Sequence, residues 1–405
     1  MVGLKMLNEI NINLQLAKES EKPFGGLHVI FSGDFAQLSP ISNDALYVRP
    51  QEERGRLRLN KESHALLNAG RILWKQLTHS ITLTEQCRQT NDPLFSTLLG
   101  RLRNGNWTNS SLQQDFDILN ERIINESNFQ ADDWRDAPII VGRNSLREQI
   151  NLIKLKDYAR NSKNTLFMCN SIDKIVKNGS NALLTKRVSA MISTLEEKDT
   201  ENLMTTLPLA YKAKYIITKN LAVKNGIVNG TEVELHGICT QENLIVNLND
   251  LEHMQYTLKE MPKYLLVKKV LNIQNTHLNF TNLNQDLIPI LPLTVSISVK
   301  PKCSALGTKS VSVRRTQFPL TPAYALTAYK AQGKTLYKVI IDLTQPPTGK
   351  LDFAYAYVAL SRAKSLNDIL ILRDFNIKLL SPKIPVNYFL EIDRLKSIEV
   401  KHVNM

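Results

Sequence analysis

Cysteine is scarce and unpatterned in this 405-residue chain: Cys87, Cys169, Cys239 and Cys303 each stand alone. Without a Cys-x-x-Cys pair there is neither zinc-site spacing nor a disulfide framework, and single thiols suit a reducing compartment. The seven histidines are equally dispersed. No His-x-x-x-His and no nucleophile elbow occurs, which argues against metallohydrolase and serine-hydrolase chemistry. Long apolar runs are missing too. No segment approaches the roughly eighteen residues a membrane span needs, and the first residues lack a signal-peptide build. The expectation is a soluble, intracellular protein with no membrane partner. Acid is in deficit, with 38 Asp and Glu against 51 Lys and Arg, and the net charge of +13 favours a polyanionic partner, most simply nucleic acid. With 43% hydrophobic residues, the chain can build two or three domains with real cores.

In chain order, residues 1–17 place Val2, Met6, Leu7, Ile10 and Leu14 near helical spacing, predicting an amphipathic helix that ends at the break around Pro23. Leu27, His28, Val29, Ile30 and Phe31 form a short apolar run of buried-strand type, followed by the polar loop Ser32-Gly33-Asp34-Phe35-Ala36-Gln37-Leu38. In open α/β sheets, ligands bind where loops leave the carboxyl ends of strands. Residues 49–61 are a charged, mostly basic excursion that reads as a solvated loop or a phosphate-tracking surface. Apolar packing resumes over 74–83, and residues 95–103 are amphipathic. Residues 137–141 predict a second buried strand and 144–158 a helix, one strand-to-helix unit of a parallel sheet. Residues 160–210 are polar with weak periodicity and read as an insertion. From Lys214 short strands alternate with turns, two of them marked by Asn225-Gly226 and Asn229-Gly230, and this all-β character runs to about Arg315. A small β-barrel inserted in an α/β domain fits that pattern. Strands return near 324–327 and 339–343, with a helix over 355–365 and a last strand over 369–372.

Residues 328–335, Ala-Tyr-Lys-Ala-Gln-Gly-Lys-Thr, pass for a loose phosphate-binding loop. A true one follows a strand and opens a helix whose backbone N–H groups cradle the phosphates. Here the next residues, 336–343, are an aromatic and β-branched run that predicts a strand, so Lys334 is left without that role.

Four polar stations stand in order: Gly33-Asp34-Phe35-Ala36-Gln37-Leu38, Gln86-Cys87-Arg88-Gln89, Tyr329-Lys330-Ala331-Gln332-Gly333, and Tyr357-Val358-Ala359-Leu360-Ser361-Arg362. With the Asn-Gly-x-x-Asn-Gly-Thr element between the second and third, they resemble the motifs of superfamily-one DNA helicases, best those of the petite-integration-frequency (PIF) type and their RecD-like relatives. The resemblance runs to about residue 372 and is poorest over 160–210 and 240–315.

The resemblance implies an α/β P-loop NTPase (RecA-like) helicase core. It would comprise part of a first RecA-like domain (1–83) and a second in two segments (84–218 and 318–405), interrupted by a β-rich SH3-like accessory domain (219–317). It implies ATP and Mg²⁺ as cofactors and single-stranded and duplex DNA as partners, a monomer as the oligomeric state, and residence in nucleus or mitochondrion. Gln37 becomes the γ-phosphate sensor, and Arg88 and Arg362 the charge stabilisers, these three forming the catalytic set. Gly33, Asp34 and Gly333 join them in the nucleotide-binding set. Thr327, Tyr329, Lys330 and Gln332 become the DNA-coupling residues, with Tyr329 standing where the family usually has histidine. One well-placed arginine is worth about 10³–10⁵ in rate in related nucleotide hydrolases.

Two family features are missing from the sequence: a Gly-x-x-x-x-Gly-Lys-[Ser/Thr] loop, and the Asp-Glu pair that holds Mg²⁺ just before the residues matching Met1 to Leu4. The expectation is a fragment or degenerate copy of an ATP-driven 5′ to 3′ helicase, carrying the sensing and arginine half of an ATPase site, with no metal ligands of its own and no hydrolysis alone. The alternatives are a non-catalytic nucleic-acid-binding module derived from a helicase, and a complete nucleotide-binding protein that uses residues 328–335 as its phosphate loop.

Overall fold

A computed structural model describes residues 2–40, 44–48, 61–177, 180–193, 195, 197–241, 244–245, 255–270, 287–300, 310–346 and 351–400. The basic excursion at 49–60 therefore lies outside the described residues. The chain divides into two compact units, one formed by residues 1–130 with 332–405 and the other by residues 131–331. The first unit begins with helices α1 (Leu4–Ala17), α2 (Lys61–Lys75), α3 (Pro93–Asn104) and α4 (Asn109–Asn120). The second unit opens with α5 (Ala131–Trp134), β1 (Ile139–Val141), α6 (Asn144–Asn161), β2 (Leu166–Asn170), β3 (Ile172–Lys177), β4 (Ser180–Ala182) and α7 (Lys186–Ile192). It continues through β5 (Thr206–Leu209), β6 (Lys214–Ile217), β7 (Glu232–Cys239), β8 (Leu244–Ile245), β9 (Gln255–Thr257) and β10 (Tyr264–Lys269). It closes with β11 (Leu287–Ile290), β12 (Leu293–Val299), β13 (Val311–Gln317), β14 (Leu320–Pro322), β15 (Ala325–Thr327) and α8 (Ala328–Ala331). The chain then returns to the first unit as β16 (Val339–Ile341), α9 (Tyr355–Leu360), β17 (Ile369–Ile371) and α10 (Val386–Ser397).

In the first unit, α1 buries Leu4 and Leu7 against Phe24, Leu67 and Trp74, with Phe31 and Phe35 edge-on to the Trp74 ring at 5.4 and 5.8 Å. The contact between α1 and α2 is close enough that a Cβ on Gly70 would lie 2.0 Å from the carbonyl oxygen of Leu4. Asn11 sits buried in α1 because its Oδ1 accepts the Phe24 N–H at 2.7 Å, so this interior polar group is satisfied and fixes the reversal after the helix. Helix α3 starts where Asp92 accepts the Phe95 N–H at 3.0 Å and stops at Gly105, whose φ of 69° an L-residue resists. Strands β16 and β17 pair in parallel, Ile340 opposite Leu370, with every residue buried. Both faces covered is the usual condition of a parallel sheet, and it explains the uninterrupted apolar runs.

In the second unit, β1 and β15 pair in parallel, and Asn151 of α6 ties that pair down by accepting the Ala325 N–H at 2.7 Å. Among the described residues the rest is antiparallel β-structure with one parallel pair, β2 with β9. One sheet runs β11-β10-β7-β6-β14 with β8 on β7, another β12-β13-β3-β4, and a third β5-β2-β9. The first encloses the large core of Tyr215, Leu235, Leu265, Val267 and Phe318, and the second packs on α7 through Ile175, Val188, Met191, Ile297 and Val313. Both sheets draw strands from before and after residue 219. The turns at Gly226 and Gly230 have φ of 67° and 96°, as the Asn-Gly pairs require.

Two expectations need correction. Leu27 to Phe31 joins no sheet among the described residues: Phe31 packs inward, but Ile30 is 94% exposed. The strand expected over 336–343 is confined to Val339–Ile341, and Tyr337 before it is 83% exposed. Residues 160–210, read as an insertion, carry β2, β3, β4, α7 and β5.

Candidate nucleotide and nucleic-acid site

The first station is a tight turn built by Asp34. Its Oδ1 accepts the Ala36 N–H at 3.0 Å, and its carbonyl accepts the Gln37 N–H at 3.1 Å, so Gln37 is delivered from a fixed backbone just after the exposed Gly33. Arg103, which the sequence reading missed, grips the same carboxylate with Nε and Nη2 at 3.2 and 3.3 Å. Its signal was available as the second of two arginines ending an amphipathic helix, but nothing in the sequence names its partner 69 residues away. Gln37 in turn accepts a hydrogen bond from Gln332 Nε2 through its Oε1 at 2.7 Å.

The second and fourth stations meet around one residue, Ser361. Arg88 donates from Nη1 to the Ser361 carbonyl at 2.9 Å and from Nε to Thr335 Oγ1 at 3.1 Å. Arg362 donates from Nη2 to Ser361 Oγ at 2.7 Å, and its Nε reaches the Val358 carbonyl at 2.8 Å. Buried Gln89 locks the two stations together, its Nε2 2.7 Å from the Ala363 carbonyl, while Gln86 Nε2 holds Gln89 Oε1 at 2.8 Å. The Leu336 N–H donates to the Arg362 carbonyl at 2.9 Å, so the turn at 332–336 touches both the glutamine and the arginine groups. Gly333 occupies that turn with φ of 84° and open space where a Cβ would stand.

Two guanidinium groups are thus held near one another on neutral acceptors alone. Burial first, and the neighbouring Arg88 second, push the Arg362 guanidinium down to about 10. It remains charged at neutral pH, and a buried cation facing a second cation is a place where an anion is strongly favoured. The donor set fits a phosphate group. Among the described residues no three His, Cys, Asp or Glu side chains gather.

Thr327, Tyr329 and Lys330 lie in the other compact unit, at the end of β15 and on the single turn α8. Tyr329 is 39% exposed, and Thr327 and Lys330 are half-buried. Residues 333–335 follow α8 and precede β16, with no helix after them, so the loop lacks the strand-to-helix geometry of a phosphate cradle.

Comparison with known proteins gives the relationship of this chain. Residues 4–112 match the model of the PIF1-like helicase family. The ATP-dependent DNA helicase Pif1 of Psychrobacter sp. is 25% identical over 401 residues, covering 94% of this chain and 53% of that protein. The ATP-dependent DNA helicase PIF1 of Candida albicans is 24% identical, covering 96% of this chain and 44% of that protein. The chain spans about half the length of these curated relatives. The crystal structure of Bacteroides Pif1 bound to ssDNA superposes with a TM-score of 0.62 at 21% identity over 98% of this chain and 74% of that one. This chain is therefore a homologue of the PIF1-family superfamily-one DNA helicases, with their α/β RecA-like fold. No helix among the described residues is long and apolar enough to cross a membrane.

Proposed function

We propose that the whole protein is an ATP-dependent DNA helicase of the PIF type, a monomer moving 5′ to 3′ on single-stranded DNA, and that these 405 residues carry the sensing and arginine half of its ATPase site. The observation that supports this most is the gathering of Arg88 and Arg362 on Ser361, tied through residues 332–336 to Gln37. ATP with Mg²⁺, when bound, supplies the phosphoryl group whose transfer to water powers movement. On the protein side, Gln37 offers its amide as a sensor, and the two guanidiniums stabilise negative charge on the phosphoryl oxygens. Asp34 and Gly33 shape the sensor turn, and Gly333 gives the facing turn its backbone. Thr327, Tyr329, Lys330 and Gln332 are proposed to carry the nucleotide state to the DNA backbone. The residues grouped as 1–83, 84–218, 219–317 and 318–405 would be the two RecA-like domains and an SH3-like insertion lying over the single strand.

Since residues 1–405 contain no Gly-x-x-x-x-Gly-Lys-[Ser/Thr] loop and no Asp-Glu pair, the 405 residues alone would bind ATP weakly and not hydrolyse it. That observation favours a second reading, a nucleic-acid-binding module without turnover. Titration of a fluorescent ATP analogue separates the roles within the site. Arg362→Ala should weaken binding about tenfold or more, the scale expected for losing one charge-assisted phosphate contact, whereas Lys334→Ala should leave it unchanged. The reverse pattern would restore the phosphate-loop reading of residues 328–335.

A further inference from the structure

The sheet β12-β13-β3-β4 uses one face to cover α7 and leaves the other open. Alternation along the strands assigns the open face: Thr294, Ser296 and Ser298 from β12, Ser312, Arg314 and Thr316 from β13, and Ile172 and Lys174 from β3. The register aligns them in rows. Ser296 faces Arg314, Arg314 faces Lys174, and on either side stand Thr294 with Thr316 and Ser298 with Ser312. The 2.8 Å contact between the Thr294 and Thr316 hydroxyls confirms that these side chains share a face.

Arg314 and Lys174 are thus directly opposed across adjacent strands, an arrangement that destabilises a sheet unless an anion lies over it. The one acidic residue in these four strands, Asp173, points the other way and is consumed by buried Arg315 at 2.8 Å through both Nε and Nη2. Neither Arg314 nor Lys174 forms an ion pair among the described residues, and both are exposed. A central pair of cations flanked by rows of hydroxyl donors, with no carboxylate, is complementary to a phosphodiester backbone, which proteins grip with Arg, Lys, Ser and Thr without reading sequence. Rows about 6.8 Å apart along the strands give the track a direction.

We propose that this face is a second nucleic-acid contact, in which Arg314 and Lys174 hold consecutive phosphates of a DNA strand and the Ser and Thr hydroxyls donate to the same backbone. It rests on the reading of the protein as a DNA-binding motor and deepens it: Arg314 falls in the span proposed to lie over the single strand, Lys174 falls outside it, and neither is among the DNA-coupling residues named above. The test is fluorescence anisotropy of the 405-residue chain with a labelled single-stranded oligothymidine across a salt series. The comparison set is the double variant Arg314→Ala/Lys174→Ala and a charge-matched control, Lys156→Ala/Lys259→Ala, on exposed residues elsewhere in the same unit. Each single-strand phosphate neutralised contributes about −0.7 to the log–log slope, so the double variant should bind about tenfold more weakly with a slope shallower by about 1.4. The control should keep the wild-type slope. Thermal melting guards against misfolding: removing two opposed cations should leave Tm equal or higher. Wild-type affinity and slope in a folded double variant overturn this inference alone. No binding by the wild-type chain at low salt overturns it together with the DNA-binding reading.

Discussion

At the scale of single residues, charge is placed where it must be compensated. Glu391 of α10 is buried and accepts hydrogen bonds from Trp74 Nε1 at 2.8 Å, from Lys75 Nζ and from Arg394 Nε at 2.8 Å. Burial works against its ionisation, but Arg394, Lys75 and Trp74 together hold its carboxyl below the ordinary glutamate value of 4.5. A carboxyl depressed on folding stabilises the native state above its unfolded-state value, and that contribution fades as pH falls through the folded-state value. Glu391→Gln should therefore cost on the order of 2–3 kcal/mol near pH 7. The gap between wild type and variant should close as urea midpoints are followed below pH 4.5, and a gap constant down to pH 3 would contradict the assignment. Arg103 makes a different bet. Because it clamps both oxygens of Asp34, Arg103→Ala should loosen the sensor turn while leaving the fold intact, weakening ATP-analogue binding several-fold with less than about 1 kcal/mol change in stability.

At the scale of elements, the approach of α2 to α1 is the tightest constraint. Gly70→Ala places a methyl 2.0 Å from the Leu4 carbonyl oxygen, backbone that cannot step aside without separating the helices. Overpacking of this kind should cost about 3 kcal/mol by chemical denaturation, against the small gain that Gly→Ala brings in an unobstructed helix. Long, strongly patterned elements were legible before any coordinates: α1, α6 and β1 sit where spacing put them, the amphipathic residues 95–103 lie in α3, and the Asn-Gly turns fall at positive φ. What stayed hidden depends on partners. Leu27 to Phe31 is apolar enough for a strand, but a strand exists only with a ladder, and none pairs with it among the described residues. β3 was not anticipated for the opposite reason, since one face of its sheet is open and polar and its partner β13 lies far along the chain. The four stations of the candidate site were visible as motifs, while Gln89 and Arg103 were not assigned, because their roles are contacts with residues 274 and 69 positions away.

At the scale of the whole molecule, the two compact units carry different halves of the proposed work. The first holds the glutamine and arginine groups around residues 332–336, and the second holds the β-rich body with its open cationic face. The excess of basic over acidic residues and the homology to PIF1-family helicases both agree with a protein that grips a polyanion. The sequence contains no Gly-x-x-x-x-Gly-Lys-[Ser/Thr] loop, which makes ATP turnover the most direct question. The deciding measurement is ATP hydrolysis by the purified 405-residue chain with saturating single-stranded DNA. The account predicts DNA binding with a steep salt dependence and turnover indistinguishable from buffer. DNA-stimulated hydrolysis that disappears in Arg362→Ala would contradict it, showing that these residues form a complete ATPase site.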